Sequence, residues 1–368
     1  MRLPTKGSND NIDESLASEI LSYGMDNGIN IIDTAYPYHS AGIDGNGNSE
    51  VFIGKFLKEN SYRDDVLIST KSPCWLMEEK GDFEYYLDKQ LEKLQTDSID
   101  IYLLHALTKD DWDKIRKLRV LDFLDDSLSS GKIKHVGFSS HTEIDTFVDI
   151  LDAYPKWEVV LTQMNYLDEY YQTGVMGLDE LKRLNIGSMI MEPLRGGRLV
   201  QNISPEVQKL WDSAEVKRTP VEWALEYLWN RDDVDCVLSG MNSLEQVRQN
   251  IQIASDVKEI SEHDHDVIRE VARTYKTLTG NDCTSCGYCM PCPEDVDIIN
   301  CFKEYNIGKM LNNPKGSALQ YFTLIDDDCR ADSCINCGEC EFVCPQMLDI
   351  PQELEKVDEY FGREFNHF

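Results

Sequence analysis

No apolar run of about 18 or more residues occurs in the sequence, and no N-terminal stretch has the pattern of a secretory signal. The expectation is a soluble, cytoplasmic protein. Cations are scarce: 36 Lys and Arg stand against 67 Asp and Glu, for a net charge of −31. That balance disfavours nucleic acid as a partner, because phosphates bind where Lys and Arg displace counterions. It disfavours anionic membrane surfaces on the same ground. Also missing is a Gly-x-Gly-x-x-Gly after the first strand-like run, which speaks against a Rossmann domain.

What is present is enough for a full core: 368 residues with 41% hydrophobic content. A barrel of about 250 residues would leave roughly a hundred over. From residue 14 to about 275, short apolar runs alternate with amphipathic stretches. The runs are 29–33, 66–70, 99–105, 134–140, 159–165, 187–193 and 234–240. Rich in Val, Ile and Leu without strict alternation, they read as buried parallel strands. Between them, SLASEILSYGMDNG ends at Gly28, DFEYYLDKQLEKL is amphipathic, and TPVEWALEYLWN carries Pro220 in its first turn. Repeated strand–helix units predict an α/β fold with a parallel sheet. A closed barrel of this kind takes eight strands, and seven are visible. Either a stub at residues 1–4 serves as the first strand, or the chain begins partway into its fold.

Polar residues gather where these strands finish: Asp33, Lys71, His105, Ser139, Gln163 and Asn165. The C-terminal strand ends carry the chemistry in parallel α/β folds, and so many on one rim point to a barrel. Tyr38 follows Asp33 in the loop above it. A tyrosine, with an ordinary pKa of about 10, is a poor acid at neutral pH. A neighbouring ammonium corrects that by favouring the phenolate, and a carboxylate holds the ammonium in place. Asp33, Tyr38, Lys71 and His105 together would donate a proton to a carbonyl oxygen as hydride reaches its carbon. Singly, each has a structural alternative: a helix cap, a surface charge, a core histidine. Four at successive strand ends favour chemistry.

These four residues, in this order and with this Asp-to-Tyr step, resemble the tetrad of the aldo/keto reductase family. The resemblance covers residues 1–275 and implies a (β/α)8 TIM barrel with its first strand short or missing. It also implies NADP(H) or NAD(H) at the C-terminal rim and a small carbonyl or alcohol substrate. Tyr38 becomes the proton donor, Lys71 and Asp33 its tuning pair, and His105 the carbonyl orienter. GFSSH resembles the strand end that holds the nicotinamide amide, giving Ser139 and Ser140, with Gln163 beside them. In MEPLRGGRL the backbone from Leu194 through Gly196 and Gly197 would approach the pyrophosphate, which accounts for paired glycines. Met191 stands where many relatives stack an aromatic ring. GMNSLEQVRQN resembles the segment that grips the adenosine end, giving Met241, Asn242, Ser243, Gln246 and Asn250. The Lys and Arg that usually clamp a 2′-phosphate are missing from it, with Arg248 alone nearby.

The remaining residues, 276–368, carry two cysteine runs: Cys283, Cys286, Cys289 and Cys292, then Cys334, Cys337, Cys340 and Cys344. The second is Cys-x2-Cys-x2-Cys-x3-Cys-Pro, and the first has its last gap shortened by one residue. Zinc favours separated Cys-x2-Cys pairs. Three cysteines at this spacing, twice over, favour two [4Fe–4S] clusters. In two-cluster ferredoxins the fourth cysteine of each run ligates the other cluster. By that rule Cys344 joins Cys283, Cys286 and Cys289, while Cys292 joins Cys334, Cys337 and Cys340. Flanking helical stretches make the module resemble the helical ferredoxins, a tail that occurs on one branch of the aldo/keto reductases. Cys236 and Cys301 read as buried small hydrophobes and Cys329 as a spare ligand. Cys74 and Trp75 either line the substrate mouth or pack.

The expected function is an NAD(P)-dependent oxidoreductase of carbonyls or alcohols, coupled to or stabilised by two clusters. Ferredoxin or another electron carrier is its expected partner, and the acidic surface suits a basic one. The alternative is a redox-sensing regulatory protein or electron carrier with little turnover.

Overall fold

The computed structural model describes residues 2–40, 45–283, 285, 287–344 and 346–362. The chain divides into two compact units, Met1–Pro193 with Ala224–Glu259, and Leu194–Trp223 with Ile260–Phe368.

Among its described residues the first unit holds seven parallel strands in sequential order: β1 (Ile31–Asp33), β2 (Leu67–Ser72), β3 (Ile99–Leu107), β4 (Ile133–Ser140), β5 (Val159–Gln163), β6 (Gly187–Met191) and β7 (Cys236–Val237). All seven coincide with the apolar runs of the sequence. Sequential parallel order puts every C-terminal strand end on one rim, where Asp33, Lys71, Ser139 and Gln163 emerge. Side chains of β3, β5 and β6 meet in one apolar cluster of Ile101, Leu103, Leu161 and Met189. Ile31 of β1 and Cys236 of β7 pack against it. A sheet brings its first and last strands to one interior cluster by curling as a barrel does. Burial there pushes the Cys236 thiol up to about 11.

No strand forms over residues 2–4. The Leu3 N–H is spent on Nε2 of His39 at 3.0 Å, and Pro4 has no N–H to give. An isolated antiparallel bridge joins Thr5 to Ile12 instead. β1 and β7 are therefore paired on one side among the described residues, and they are the shortest strands.

Helices alternate with the strands where the amphipathic stretches lie. Glu14–Asp26 is capped by Asp13 and stops before Gly28, whose φ of +99° ends the pattern. Lys80–Leu94 opens with a capping box from Glu79 and Asp82.

The second unit is helical among its described residues. Glu262–Thr277, started by a Ser261–Asp264 capping box, packs on Pro205–Trp211. Arg218 and Asp264 form a buried ion pair at 3.2 Å. Ile298–Met310, Pro314–Leu324 and Ile350–Gly362 enclose a core that includes Phe302, Tyr321, Leu354 and Phe361. Cys301 lies inside it, its thiol pushed by burial up to about 12. This grouping takes in residues 194–223 and 260–275 as well as the cysteine-rich tail.

Candidate active site and cysteine lobe

Lys71 is 1% exposed, and a buried ammonium needs partners. It donates to Oδ2 of Asp33 at 2.5 Å and to the carbonyl of Thr34 at 2.7 Å. The other oxygen of Asp33 accepts from Ser69 Oγ at 2.8 Å. The β1–β2 register, with Asp33 opposite Ser69, brings these groups together. Lys71 Nζ also lies 4.9 Å from the centre of the Tyr38 ring. Burial works to discharge Lys71, but the Asp33 carboxylate and the Tyr38 phenol outweigh it and raise its pKa above the ordinary 10.5. The stabilisation this gives is present below 10.5 and is lost only at more alkaline pH.

The loop bearing Tyr38 is held by backbone bonds. Tyr38 N–H donates to Ala35 O at 3.1 Å and Ser49 N–H to Tyr38 O at 3.2 Å. The return of the chain passes so close that a Cβ on Gly47 would sit 2.1 Å from Tyr38 O. Only glycine fits there.

Beneath this group lies a buried polar network that sequence reasoning missed. Glu50, fully buried, accepts from Thr70 Oγ1, Gln90 Nε2 and Lys93 Nζ, each at 2.6 Å. Gln90 Nε2 also donates to the backbone carbonyl of Lys71 at 3.0 Å, and Tyr102 donates to Gln90 Oε1 at 2.9 Å. The signal was present as polar residues on apolar helix stripes: Glu50 shares a face with Ile53 and Leu57, and Gln90 with Phe83, Leu87 and Leu94. Glu50→Ala would remove the carboxylate paired with the largely buried Lys93 ammonium, leaving it the Tyr36 carbonyl at 3.5 Å. It should cost about 3–5 kcal/mol of stability, read as a shifted midpoint in urea denaturation.

His105 sits where the β3–β4 register shifts, between Leu104 and Leu107. Bulges of this kind re-aim side chains beside active sites. Ala106 takes a φ of +47°, and its N–H is satisfied by Ser139 Oγ at 2.7 Å. The His105 ring meets Tyr38 edge-on at 5.9 Å and Trp75 at 5.2 Å. Its Nδ1 is buried without a hydrogen-bond partner among the described residues. Burial first, then the Lys71 charge, hold His105 well below its ordinary 6.5, so the imidazole is neutral. The unfolded chain therefore takes up this proton first as pH falls through 6.5, and folding stability drops. His105→Asn should flatten that acid-side loss between about pH 7 and pH 5, measured as the pH dependence of Tm in the two proteins.

Tyr38 lines two clefts. One, of about 360 Å³, also has Asp33, Met191, Gly240, Met241 and Asn250 in its walls. The other has His105, Trp75, Ala106 and Asp111. Trp75 thus faces the mouth, whereas Cys74 is fully buried and its thiol is pushed up to about 12.

The remaining nucleotide candidates are largely engaged with the protein. Ser140 Oγ bonds Thr142 Oγ1 at 2.7 Å, and Gln163 donates to Asp168 at 3.0 Å. Asn165 reaches the same carboxylate at 2.8 Å and the Glu192 carbonyl at 3.1 Å. Ser243 caps Leu244–Ser255, accepting from the Gln246 N–H, while Gln246 Oε1 accepts from the Asn242 N–H at 2.9 Å. Asn250 donates to Ser239 at 3.0 Å. Leu194, Gly196 and Gly197 belong to the second unit; the two glycines have φ of 66° and 90°. Arg248 packs over the Tyr23 ring at 5.2 Å.

In the second unit, Cys344 lines one cavity with Cys283 and Cys289. Cys292 lines another, of about 200 Å³, with Cys289, Cys334, Cys337 and Cys340. Cys286 lies outside the described residues. Cys329 packs against the same core. Among the described residues, no three His, Cys, Asp or Glu side chains converge as ligands of a single ion. The cysteines instead stand around cavity walls. Among the described residues, no helix is long and apolar enough to cross a membrane.

Comparison with known proteins bears on both units. The model of the aldo/keto reductase family matches residues 1–273, and that of a 4Fe-4S dicluster domain matches residues 282–351. L-galactose dehydrogenase of Arabidopsis thaliana is 27% identical over 264 residues, covering 66% of this chain and 79% of the relative. NADH-specific methylglyoxal reductase of Escherichia coli is 24% identical over 313 residues, covering 72% and 90%. Among solved structures, the holo form of aldo-keto reductase AKR11C1 from Bacillus halodurans matches with a TM-score of 0.57 at 25% identity, covering 73% of this chain and 91% of that one.

Proposed function

The chain belongs to the aldo/keto reductase family, and from that premise we propose an NAD(P)-dependent oxidoreductase that interconverts a carbonyl and an alcohol with Tyr38 as its acid. The observation that carries this reading is the position of Tyr38 in the walls of two clefts at once. The cleft with Asp33, Met241 and Asn250 suits a nucleotide, and the mouth with His105 and Trp75 suits a substrate. A reduced nicotinamide, when bound, supplies hydride to the carbonyl carbon. As charge builds on the carbonyl oxygen, the Tyr38 phenol gives up its proton. The Lys71 ammonium lowers the cost of the phenolate left behind, and Asp33 holds Lys71 in place. Neutral His105 orients the oxygen through a ring N–H. Solvent reprotonates Tyr38 after product leaves.

The adenosine-side segment, 241–250, contains one cation, Arg248, and it lies over Tyr23. Together with a relative named NADH-specific, this supports NADH as the cofactor. In the second unit the reading is two [4Fe–4S] clusters. Cys283, Cys286, Cys289 and Cys344 would hold one, and Cys292, Cys334, Cys337 and Cys340 the other. The cavity Cys344 shares with Cys283 and Cys289, and the one Cys292 shares with Cys334, Cys337 and Cys340, support that donor set. Clusters supply one-electron exchange, for which a separate electron-carrier protein is the partner proposed. Consumption of NADH and NADPH with a panel of neutral aldehydes and ketones tests the reductase reading. Turnover with neither nucleotide overturns it.

A further inference from the structure

We propose that the cysteine lobe of the second unit is a docking surface for a positively charged electron-carrier protein. The carrier seats on Tyr288, Ile335, Phe342, Val343 and Met347 within an acidic rim. This rests on the reading that the two cysteine runs hold clusters.

Large apolar side chains are uncovered here to an unusual degree. Phe342 is 93% exposed, Met347 89%, Tyr288 69% and Ile335 62%. They stand beside the cysteines in sequence: Tyr288 next to Cys289, Ile335 next to Cys334, and Phe342 and Val343 between Cys340 and Cys344. The Met347 N–H donates to the Cys344 carbonyl at 3.0 Å, which ties it to the same turn. Tyr288, Ile335 and Val343 line the cavity of Cys292, Cys334, Cys337 and Cys340, so they would border the cluster there, while Phe342 and Met347 line neither cysteine cavity and carry most of the open apolar surface. None of this exposure serves the core, which Phe302, Tyr321, Leu354 and Phe361 fill. Apolar surface gathered in one place marks an interaction site.

The charge around it selects the partner. No Lys or Arg occurs between Lys276 and Lys303, or between Arg330 and Lys356. Within those spans stand Glu294, Asp295, Glu339 and Glu341, all exposed, with Glu294 and Glu339 in the walls of the same cleft. A second copy of this chain would set acidic rim against acidic rim, at a net charge of −31 each. A protein with a basic ring around an apolar centre matches instead. Steering by opposite charge then speeds encounter, and the apolar centre fixes the docked pose.

The test uses holoprotein prepared anaerobically and ferric cytochrome c, a basic haem protein, as the probe. Affinity is measured by calorimetry at low and high salt. Phe342→Ser with Met347→Ser keeps every charge and removes two side chains that the fold does not bury. This pair should weaken binding by about tenfold or more. Glu339→Gln with Glu341→Gln should weaken it and reduce its salt dependence. Glu19→Gln with Glu59→Gln, the same charge change on exposed helix positions of the first unit, should leave it within about twofold. Unchanged affinity in the Phe342/Met347 pair overturns the proposal, as does an equal loss in the Glu19/Glu59 pair. A concentration-dependent dimer that Phe342→Ser dissolves also overturns it, in favour of self-association. Iron and sulfide are assayed in the same samples. Their absence from the parent protein sinks the cluster reading, whereas normal content with unaltered docking sinks this proposal alone.

Discussion

Tyr38→Phe should lower kcat by about 10²-fold or more while leaving nucleotide affinity nearly unchanged. In the proposed mechanism the phenol donates the proton, and the substitution deletes that proton and nothing else of size. The ring keeps its edge-on contact with His105 at 5.9 Å. Lys71 keeps Asp33 at 2.5 Å and the Thr34 carbonyl at 2.7 Å, so its charge stays paired and the strand ends should not shift. Stopped-flow reduction of an aldehyde, with nucleotide affinity measured by fluorescence on the same variant, separates chemistry from binding. A variant that turns over like the parent would remove Tyr38 from the mechanism. Lys71→Met is a harsher change. It takes the ammonium from beneath the phenol and leaves the Asp33 carboxylate with Ser69 Oγ alone of the two side-chain partners described, so its loss of rate would mix chemistry with stability.

The strand ends were legible because a parallel sheet repeats one simple rule: an apolar run finishing in a polar residue. Asp33, Lys71 and Ser139 obey it, and β1, β2 and β4 end within two residues of them. His105 obeys it too, but its surroundings do not follow from the run. The register shift through Ala106 depends on pairing with β4, which no local pattern encodes. The Glu50 network was half legible. A carboxylate on an apolar helix stripe announces a buried partner, yet finding Thr70, Gln90 and Lys93 requires knowing how two helices pack on β2. The packing of residues 194–223 is less legible: Pro205–Trp211 and Glu262–Thr277 are distant in sequence, and only their contact shows that these two helices group together. The candidate nucleotide contacts lie mostly at strand and helix ends, where side chains such as Ser140 and Gln246 satisfy neighbouring backbone N–H groups first.

Cys344→Ser should abolish the cluster of the first cysteine run, although Cys344 belongs to the second, and Cys292→Ser should do the reverse. Each variant should lose about half of its iron and inorganic sulfide, since a cluster deprived of one thiolate in four loses its hold. The reason is spatial. Cys344 stands in the cavity of Cys283 and Cys289, while Cys292 stands in that of Cys334, Cys337 and Cys340, which Cys289 also borders. Cys344 lies in a turn, its N–H donating to Glu341 O at 3.2 Å. Iron content alone cannot identify which cluster is lost, so two reference variants are needed. Cys283→Ser removes a ligand of the first cluster under either scheme, and Cys334→Ser removes one of the second. Electron paramagnetic resonance of dithionite-reduced samples then assigns the signals. Crossed ligation makes the Cys344→Ser spectrum match that of Cys283→Ser, and Cys292→Ser match Cys334→Ser. A Cys344→Ser spectrum matching Cys334→Ser would mean that each run holds its own cluster, and the shared cavities would then reflect packing around two separate sites.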